Sequence, residues 1–482
     1  MGASIPNGSM AVRMYRGILG DCFLLRYGQA ERDIHILIDC GVLQGVKGAK
    51  EQMRRIVDDL HATTGGVLDL VVLTHEHHDH LSGFLYEKER FFGDAFTIDE
   101  LWLAWTENPS DPQAIRLHAR FDRVKSALAK VTAIARSSSA FSQDPRIGTV
   151  ASLAEFIPPA DGGDAVGAKQ SIIERLRRKA GGQATCYLEP GDVVRPRAAP
   201  TLKVNVMGPP RDELRLRKDL PSAGTGKEVY LSSLDEAIAL EDHALRALGE
   251  PVVEQGSPFA QPHRRSREEA RKAGMAQPPG PLASVEQRYF DADQAWRNIE
   301  DEWLDSAECI ALKMDSDTNN TSLVLAFELP DGQVLLFPGD AQVGNWISWG
   351  DHTYPRAAVD GEPAPQVLDD ILRRVTLYKV GHHCSHNATA KALGLEKMTD
   401  SRLVAMIPVV AAVADGKGWQ MPYPELLTAL QARTQRRVLV GDSDPEREAD
   451  IFAQNPTSSR APAELSYAQD GLWVELGIPC AV

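Results

Sequence analysis

Histidine and aspartate crowd into one short run of this 482-residue chain, Thr74-His75-Glu76-His77-His78-Asp79-His80. In an extended backbone, side chains two residues apart point to one side, so His75 and His77 can share one metal ion. Asp79 and His80 follow where the chain is expected to turn into a helix, and they can aim at a second ion. A structural zinc site prefers four closed ligands, often with cysteine. No cysteine lies in this run, so it reads as catalytic. A second group follows about 300 residues later, where His382, His383 and His386 lie in GHHCSHNAT.

The elements that must hold these groups are legible as apolar runs. MAVRMYRG, CFLLRYG and DIHILIDCG read as strands closed by glycine or polar turns. A helix is expected over residues 50–60, and VLDLVVLT is a continuous apolar run that ends in the histidines. Rigid strands that end in ligand-bearing loops are a common way to fix a site. From residue 109 to 305 the texture changes to helical periodicity, charge runs and Pro/Gly breaks, which we read as a mainly helical insertion with one returning strand near 201–210. Leu117, Phe121, Val124, Leu128 and Val131 recur at helical spacing there. Arg116, Arg120, Arg123, Lys125, Lys130 and Arg136 share the same helix. This predicts a packed helix with a solvated face; the sharper reading is a basic wall beside the site. Further helical material is expected over 232–249 and 264–272, with a linker at 277–281. Strands return in TSLVLAFEL, QVLLFPGDAQ, VTLYKVG, RLVAMIPVV and RVLVGDSD. The expected division is therefore 1–108 for the first half of a domain, 109–305 for the insertion, and 306–482 for the second half with a C-terminal extension.

Composition narrows the class. Apolar residues make up 43% of the chain and charged residues 25%, as in ordinary globular proteins. No apolar stretch is long enough to span a membrane, and the N-terminus lacks a secretory core, so a cytoplasmic location is expected. Six scattered cysteines without C-x-x-C spacing are expected to be reduced thiols. A formal charge of −15 argues against a surface that binds nucleic acid all over, although a local basic groove is compatible with it.

His75, His77, Asp79 and His80 match the H-x-H-x-D-H signature residue for residue, and the chain resembles the metallo-β-lactamase superfamily. That resemblance implies an α/β (α+β) fold, an αββα sandwich here interrupted by the insertion, with two divalent metal ions, zinc first and manganese as the alternative. It implies that Asp340 in LLFPGDAQ bridges the ions and that His383 is the last ligand. His382 would contact the substrate, although these two histidines can exchange roles. Asp39 at the end of HILIDCG resembles a strand-end aspartate that orients ligands. Within the superfamily the chain is similar to the metallo-hydrolase domain of the DNA-uptake protein ComEC and its soluble relatives, through GDCFLL, LIDCG, NNTSLVL, LLFPGD, KVGHHCS and RVLVGDSD. It departs from the wider pattern in two places. Asn319 or Asn320 stands where a histidine ligand is usual, which favours a more oxygen-rich, manganese-tolerant position. Cys384 replaces the usual glycine.

The resemblance implies a hydrolase whose nucleophile is a hydroxide bridging the two metals, with Asp79 as ligand and proton acceptor. His382, Ser385 and Asn387 would stabilise the oxyanion, protonate the leaving group, or simply hold the turn. A phosphodiester, nucleic acid or nucleotide-like, is the expected substrate. A small ester, thioester, lactone or amide is the alternative, with the insertion as a lid. A third reading is a low-turnover metal-binding module whose insertion meets a protein partner. Fold alone does not choose among them.

Overall fold

Strand-forming runs pair here into two mixed sheets. The computed structural model describes residues 4–44, 46–137, 147–148, 150, 171–218, 302–355, 365–459 and 461–480. The first sheet has eight strands, in the order Glu464–Tyr467, Trp473–Ile478, Met10–Tyr15, Cys22–Tyr27, Ile34–Cys40, Leu70–Val72, Leu101–Ala104 and Thr185–Leu188. The second has seven, in the order Val438–Val440, Val404–Ile407, Val375–Lys379, Val334–Phe337, Val324–Glu328, Lys203–Gly208 and Val193–Val194.

Alternation along the strands decides which face meets which layer. Phe23 and Leu25 of one sheet pack with Phe327, Leu335 and Phe337 of the other in a common core, and Phe23 meets Phe337 edge-on at 5.7 Å between ring centres. The alternate residues Leu24, Leu37 and Val71 pack on Met53, Ile56 and Leu60 of the helix Ala49–Thr64. Beyond the second sheet, Ala326, Leu336 and Tyr378 pack on Trp346, Ile371 and Leu430, which lie in the helices Val343–Ser348, Leu368–Leu372 and Pro424–Arg433. The layers run helix, sheet, sheet, helix, the α+β sandwich expected.

The segment read as helical insertion holds more sheet than expected. Besides Lys203–Gly208, the strands Thr185–Leu188 and Val193–Val194 extend one sheet each, and residues 155–226 belong to the compact unit that holds both sheets. Thr185–Leu188 is an edge strand, partly exposed along most of its length, so it lacks the apolar run by which buried strands announce themselves. The supposed C-terminal extension likewise contributes two strands to the first sheet. A second unit comprises residues 118–154 and 227–314. The expected helices at 232–249 and 264–272 and the linker at 277–281 lie outside the described residues. In the helix Pro112–Ser137, Leu117, Val124 and Leu128 are buried while Arg116 and Arg123 are exposed, the pattern of a packed helix. No helix among the described residues is long and apolar enough to cross a membrane.

What the fold does for chemistry is to bring strand ends together. Ile34–Cys40 and Leu70–Val72 are parallel neighbours, and so are Val334–Phe337 and Val375–Lys379. Their carboxyl ends, where open α/β sheets place ligands, lead into Asp39, the histidine run, Asp340 and His382–His383. Backbone hydrogen bonds tie these ends to one another. Asp21 N–H donates to Asp79 O, Gly41 N–H to Asp21 O, and Leu323 N–H to Thr74 O. Gly41 lies so close to the histidine run that a Cβ there would fall 2.3 Å from the Asp79 carbonyl and 2.5 Å from His80 N. Gly41→Ala is expected to lower the unfolding free energy by about 1–3 kcal/mol, read in a urea titration. Gly416→Ala, where a Cβ meets nothing within 4 Å, is the control expected to leave the midpoint unchanged.

Candidate metal centre

Asp39 ends its strand in a left-handed backbone conformation (φ 54°). Its carboxylate accepts Thr74 N–H at 2.8 Å and Thr74 Oγ–H at 2.6 Å, and meets His80 Nδ1 at 2.7 Å. A proton on Nδ1 leaves the Nε2 lone pair of His80 free to face the centre. The run itself changes conformation as expected: His77 is extended (φ −104°, ψ 151°) and the helix His78–Tyr86 begins at the next residue. Asp79 and His80 therefore rise from a first helical turn. His75 Nε2 and His77 Nδ1 converge to 3.0 Å, as two nitrogens facing one ion do. His78, the remaining histidine of the run, turns away to Tyr86 OH.

Later strands complete the other side. Gly339 turns with φ 58°, packed so tightly that a Cβ would sit 2.9 Å from Thr74 and Ser322, and Asp340 N–H donates to Ser322 Oγ. His382, His383 and Cys384 are three successive left-handed residues, a conformation costing L-residues roughly 1–2 kcal/mol each. It delivers His383 with Nδ1 against Pro408 O at 2.8 Å and Nε2 against Asp79 Oδ2 at 2.8 Å. His383 Nε2 also lies 3.6 Å from Asp340 Oδ2, and His80 Nε2 lies 3.2 Å from the same oxygen and 3.9 Å from Asp79 Oδ2. A tetrahedral ion with bonds near 2.0–2.1 Å sets its ligand atoms about 3.3–3.4 Å apart, and these four separations, 2.8–3.9 Å, bracket that spacing.

Unpartnered atoms test the fit further. Among the described residues, Asp79 Oδ1, His80 Nε2 and Asn319 Oδ1 are buried without a hydrogen-bond partner. Each such group costs about 1–3 kcal/mol unless something binds it, and all three are donors a cation accepts. The charges agree. Burial opposes a charge on His80, but Asp340, Asp21, Asp39 and Asp79 hold it well above the imidazole range, and Asp340 with Asp79 also raises His383. Burial drives His75 well down and His77 to about 3. The residues fit divalent metal ions.

Of the two asparagines, Asn320 is spoken for, since Nδ2 donates to Lys218 O and Oδ1 accepts from Gln342 N–H and Asn345 N–H. Asn319 faces the centre. His382 lies apart from the four-atom set, its Nε2 3.5 Å from Asn319 Nδ2 and its Nδ1 2.8 Å from Ser385 Oγ. Burial lowers it to about 4. Asn387 Oδ1 accepts Ser385 Oγ–H at 2.9 Å and lies 3.3 Å from His382 Nδ1, so Ser385 and Asn387 both stand behind the His382 ring. His386 is exposed, and Cys384 is buried, a small residue in the core.

Three residues escaped the sequence reading. Asp21, Lys379 and Asp340 form a buried chain in which Lys379 Nζ donates to Asp21, to Gly339 O at 2.8 Å and to Asp340 Oδ1 at 3.1 Å. Asp21 can offer an atom within 4.8 Å of His80, His383 and Asp340, but it approaches those imidazoles from their Nδ1 sides, which Asp39 and Pro408 already occupy. We therefore read Asp21 as the counter-charge of Lys379. Asp315 is the third; burial, Asp79 and Asp340 push its carboxyl up to about 8. A lone lysine ending an apolar strand in VTLYKVG was the available signal for Lys379. For Asp315 it was an acidic residue one helical turn before Asn319.

Residues 16–174 match the family model described as the metallo-beta-lactamase superfamily. That stretch, about a third of the chain, is similar to the superfamily. The match takes in the histidine run and Asp39, whereas Asp340 and His383 lie beyond it. No curated protein matches the chain.

Protons and ions compete for this centre. The carboxylates around His80 and His383 favour a proton on both imidazoles, so a divalent ion competes with protons there, and binding tightens as pH rises. Titration calorimetry of the chelator-stripped protein with Zn²⁺ at pH 7, in buffers of different ionisation enthalpy, is expected to show release of one or more protons. A binding heat independent of buffer would contradict this account.

Proposed function

We propose that the protein is a binuclear metal-dependent hydrolase and that it cleaves a phosphodiester in a nucleic acid or nucleotide-like substrate. The observation that carries the metal-dependent part is the convergence of His80 Nε2, His383 Nε2, Asp79 Oδ2 and Asp340 Oδ2 beside the His75–His77 pair. Two divalent ions held there would activate water as a nucleophile and polarise the scissile group. The chain's own groups do the rest. Asp39 and the Pro408 carbonyl hold the tautomers of His80 and His383. Asp79 reaches His383 with one oxygen and keeps the other unpartnered, which suits it to accept a proton. His382, slightly more accessible than His383 and backed by Ser385, presents Nε2 where an oxyanion or leaving group would lie.

The phosphodiester assignment rests on chemistry and on resemblance. Asn319, whose Oδ1 is buried and unpartnered, brings an oxygen to the His75–His77 position in place of an imidazole. Such a position suits harder ions such as Mn²⁺, the usual companions of phosphoryl oxygens. The ComEC-like motifs point the same way. The −15 net charge favours the second reading, a small ester, thioester, lactone or amide, because a polyanion would need a local basic groove.

Purified protein loaded with Mn²⁺ or Zn²⁺ and offered phosphodiester, single-stranded DNA, thioester and lactam reporters is expected to cleave the first two. Asp79→Ala should lower kcat/KM by about 10²–10⁴-fold. Cleavage of the thioester or lactam alone would replace the substrate class. Silence across the panel would favour a binding module that meets a partner through its insertion, and DNA cut equally by Asp79→Ala would refute the mechanism.

A further inference from the structure

The two halves of the centre are supported unequally. At His80 the supporting carboxylate is Asp39, in direct hydrogen-bond contact. At His77 the sequence offers no equivalent. The helix Glu302–Asn319 supplies one from its last turns, where Asp315 and Asn319, four residues apart, share a face.

His75 Nε2 and His77 Nδ1 converge to 3.0 Å, so an ion between them takes the Nδ1 lone pair of His77. The neutral ring then carries its proton on Nε2, and the carboxylate oxygen Asp315 Oδ1 stands 3.8 Å from that nitrogen. The other oxygen, Oδ2, accepts a hydrogen bond from Asn319 Nδ2 at 3.2 Å. That bond commits Asn319 Nδ2 to Asp315. The Asn319 oxygen is thereby left fully buried with no protein partner. One aspartate therefore bonds Asn319 directly and stands 3.8 Å from the outer nitrogen of His77.

We infer that Asp315 is the positioning residue of the His75–His77 ion, holding Asn319 by a hydrogen bond and His77 by its nearby charge. This inference rests on the metal-centre reading above. Asp315 holds the ligands and is not itself one, because its near oxygen lies on the far nitrogen of His77, away from the side where His75 converges.

The test is metal binding, not turnover. Chelator-stripped full-length protein is equilibrated with Mn²⁺ or Zn²⁺ at graded, buffered free concentrations, and bound metal per chain is counted by mass spectrometry. Wild type is expected to take up two ions. Asp315→Ala should bind one ion as wild type does and the other about 10–100-fold more weakly, the usual penalty for losing such a support. Asp315→Asn, which keeps an acceptor oxygen, should fall between them. Asp39→Asn should weaken the other ion instead. The melting temperature of each metal-free variant identifies any that fail to fold. Two ions bound by Asp315→Ala with wild-type affinity would overturn the inference. So would an equal loss of both ions with a lowered metal-free melting temperature, which would make Asp315 merely structural. Absence of bound metal in the wild type would overturn the metal-centre reading itself.

Discussion

The carboxylate of Asp39 is the contact on which the rest of the centre depends. It gathers Thr74 N–H, Thr74 Oγ–H and His80 Nδ1 at 2.8, 2.6 and 2.7 Å, and so joins the end of one strand to the loop after its parallel neighbour. Because Thr74 O also accepts Leu323 N–H at the start of the second sheet's strand Val324–Glu328, the same residue links the two sheets at the site. Replacing Asp39 with an apolar residue would leave Thr74 N–H buried and unpaired and would free His80 to rotate. The left-handed φ of Asp39 is part of this arrangement, a local strain kept because the surrounding hydrogen bonds determine it.

A second constraint acts on Asp340. Both Lys379 Nζ and His382 N–H donate to its Oδ1, at 3.1 and 2.9 Å. Only Oδ2 remains to face His80 and His383. Lys379 is almost wholly buried, and such an ammonium is tolerable only because Asp21 and Asp340 flank it. Asp21 thus neutralises the lysine that orients Asp340, and Asp340 in turn faces the histidines. The order of dependence runs from a buried ion pair to a carboxylate orientation to a place for a cation.

How much of this was legible in the sequence follows from how local each signal is. The run from His75 to His80 could be read because its candidate ligands are one to five residues apart, where backbone geometry alone decides which way side chains point. Most strands could be read because they are buried on both faces and apolar throughout. Asp340 and His383 came from resemblance rather than from spacing, since they lie 260 or more residues from the run. Asp21, Lys379 and Asp315 were missed for the same physical reason. Each is a single polar residue whose role exists only once distant strand ends meet. The edge strand Thr185–Leu188 was missed because edge strands are half-solvated and carry mixed sequence. Between Asn319 and Asn320 the sequence had no means of choosing; the hydrogen bonds of Asn320 make the choice.

The distribution of charge also explains how such a site can fold before any ion arrives. Asp21, Asp39, Asp79 and Asp340 are each no more than 2% exposed, and four buried carboxylates with one lysine would be prohibitively unbalanced. His80 and His383 offset this, because the carboxylates around them favour a proton on both imidazoles. Those protons stand where an ion would stand, on Nε2 atoms that face Asp79 and Asp340. His75 and His77, driven to neutrality by burial, have no proton to give up. The two halves of the centre therefore differ in what a metal must displace: protons at His80 and His383, only solvent at His75 and His77. The half closest to the carboxylates is the one whose loading must depend on pH, and the half with an amide in place of an imidazole is the one whose loading must depend on the hardness of the ion.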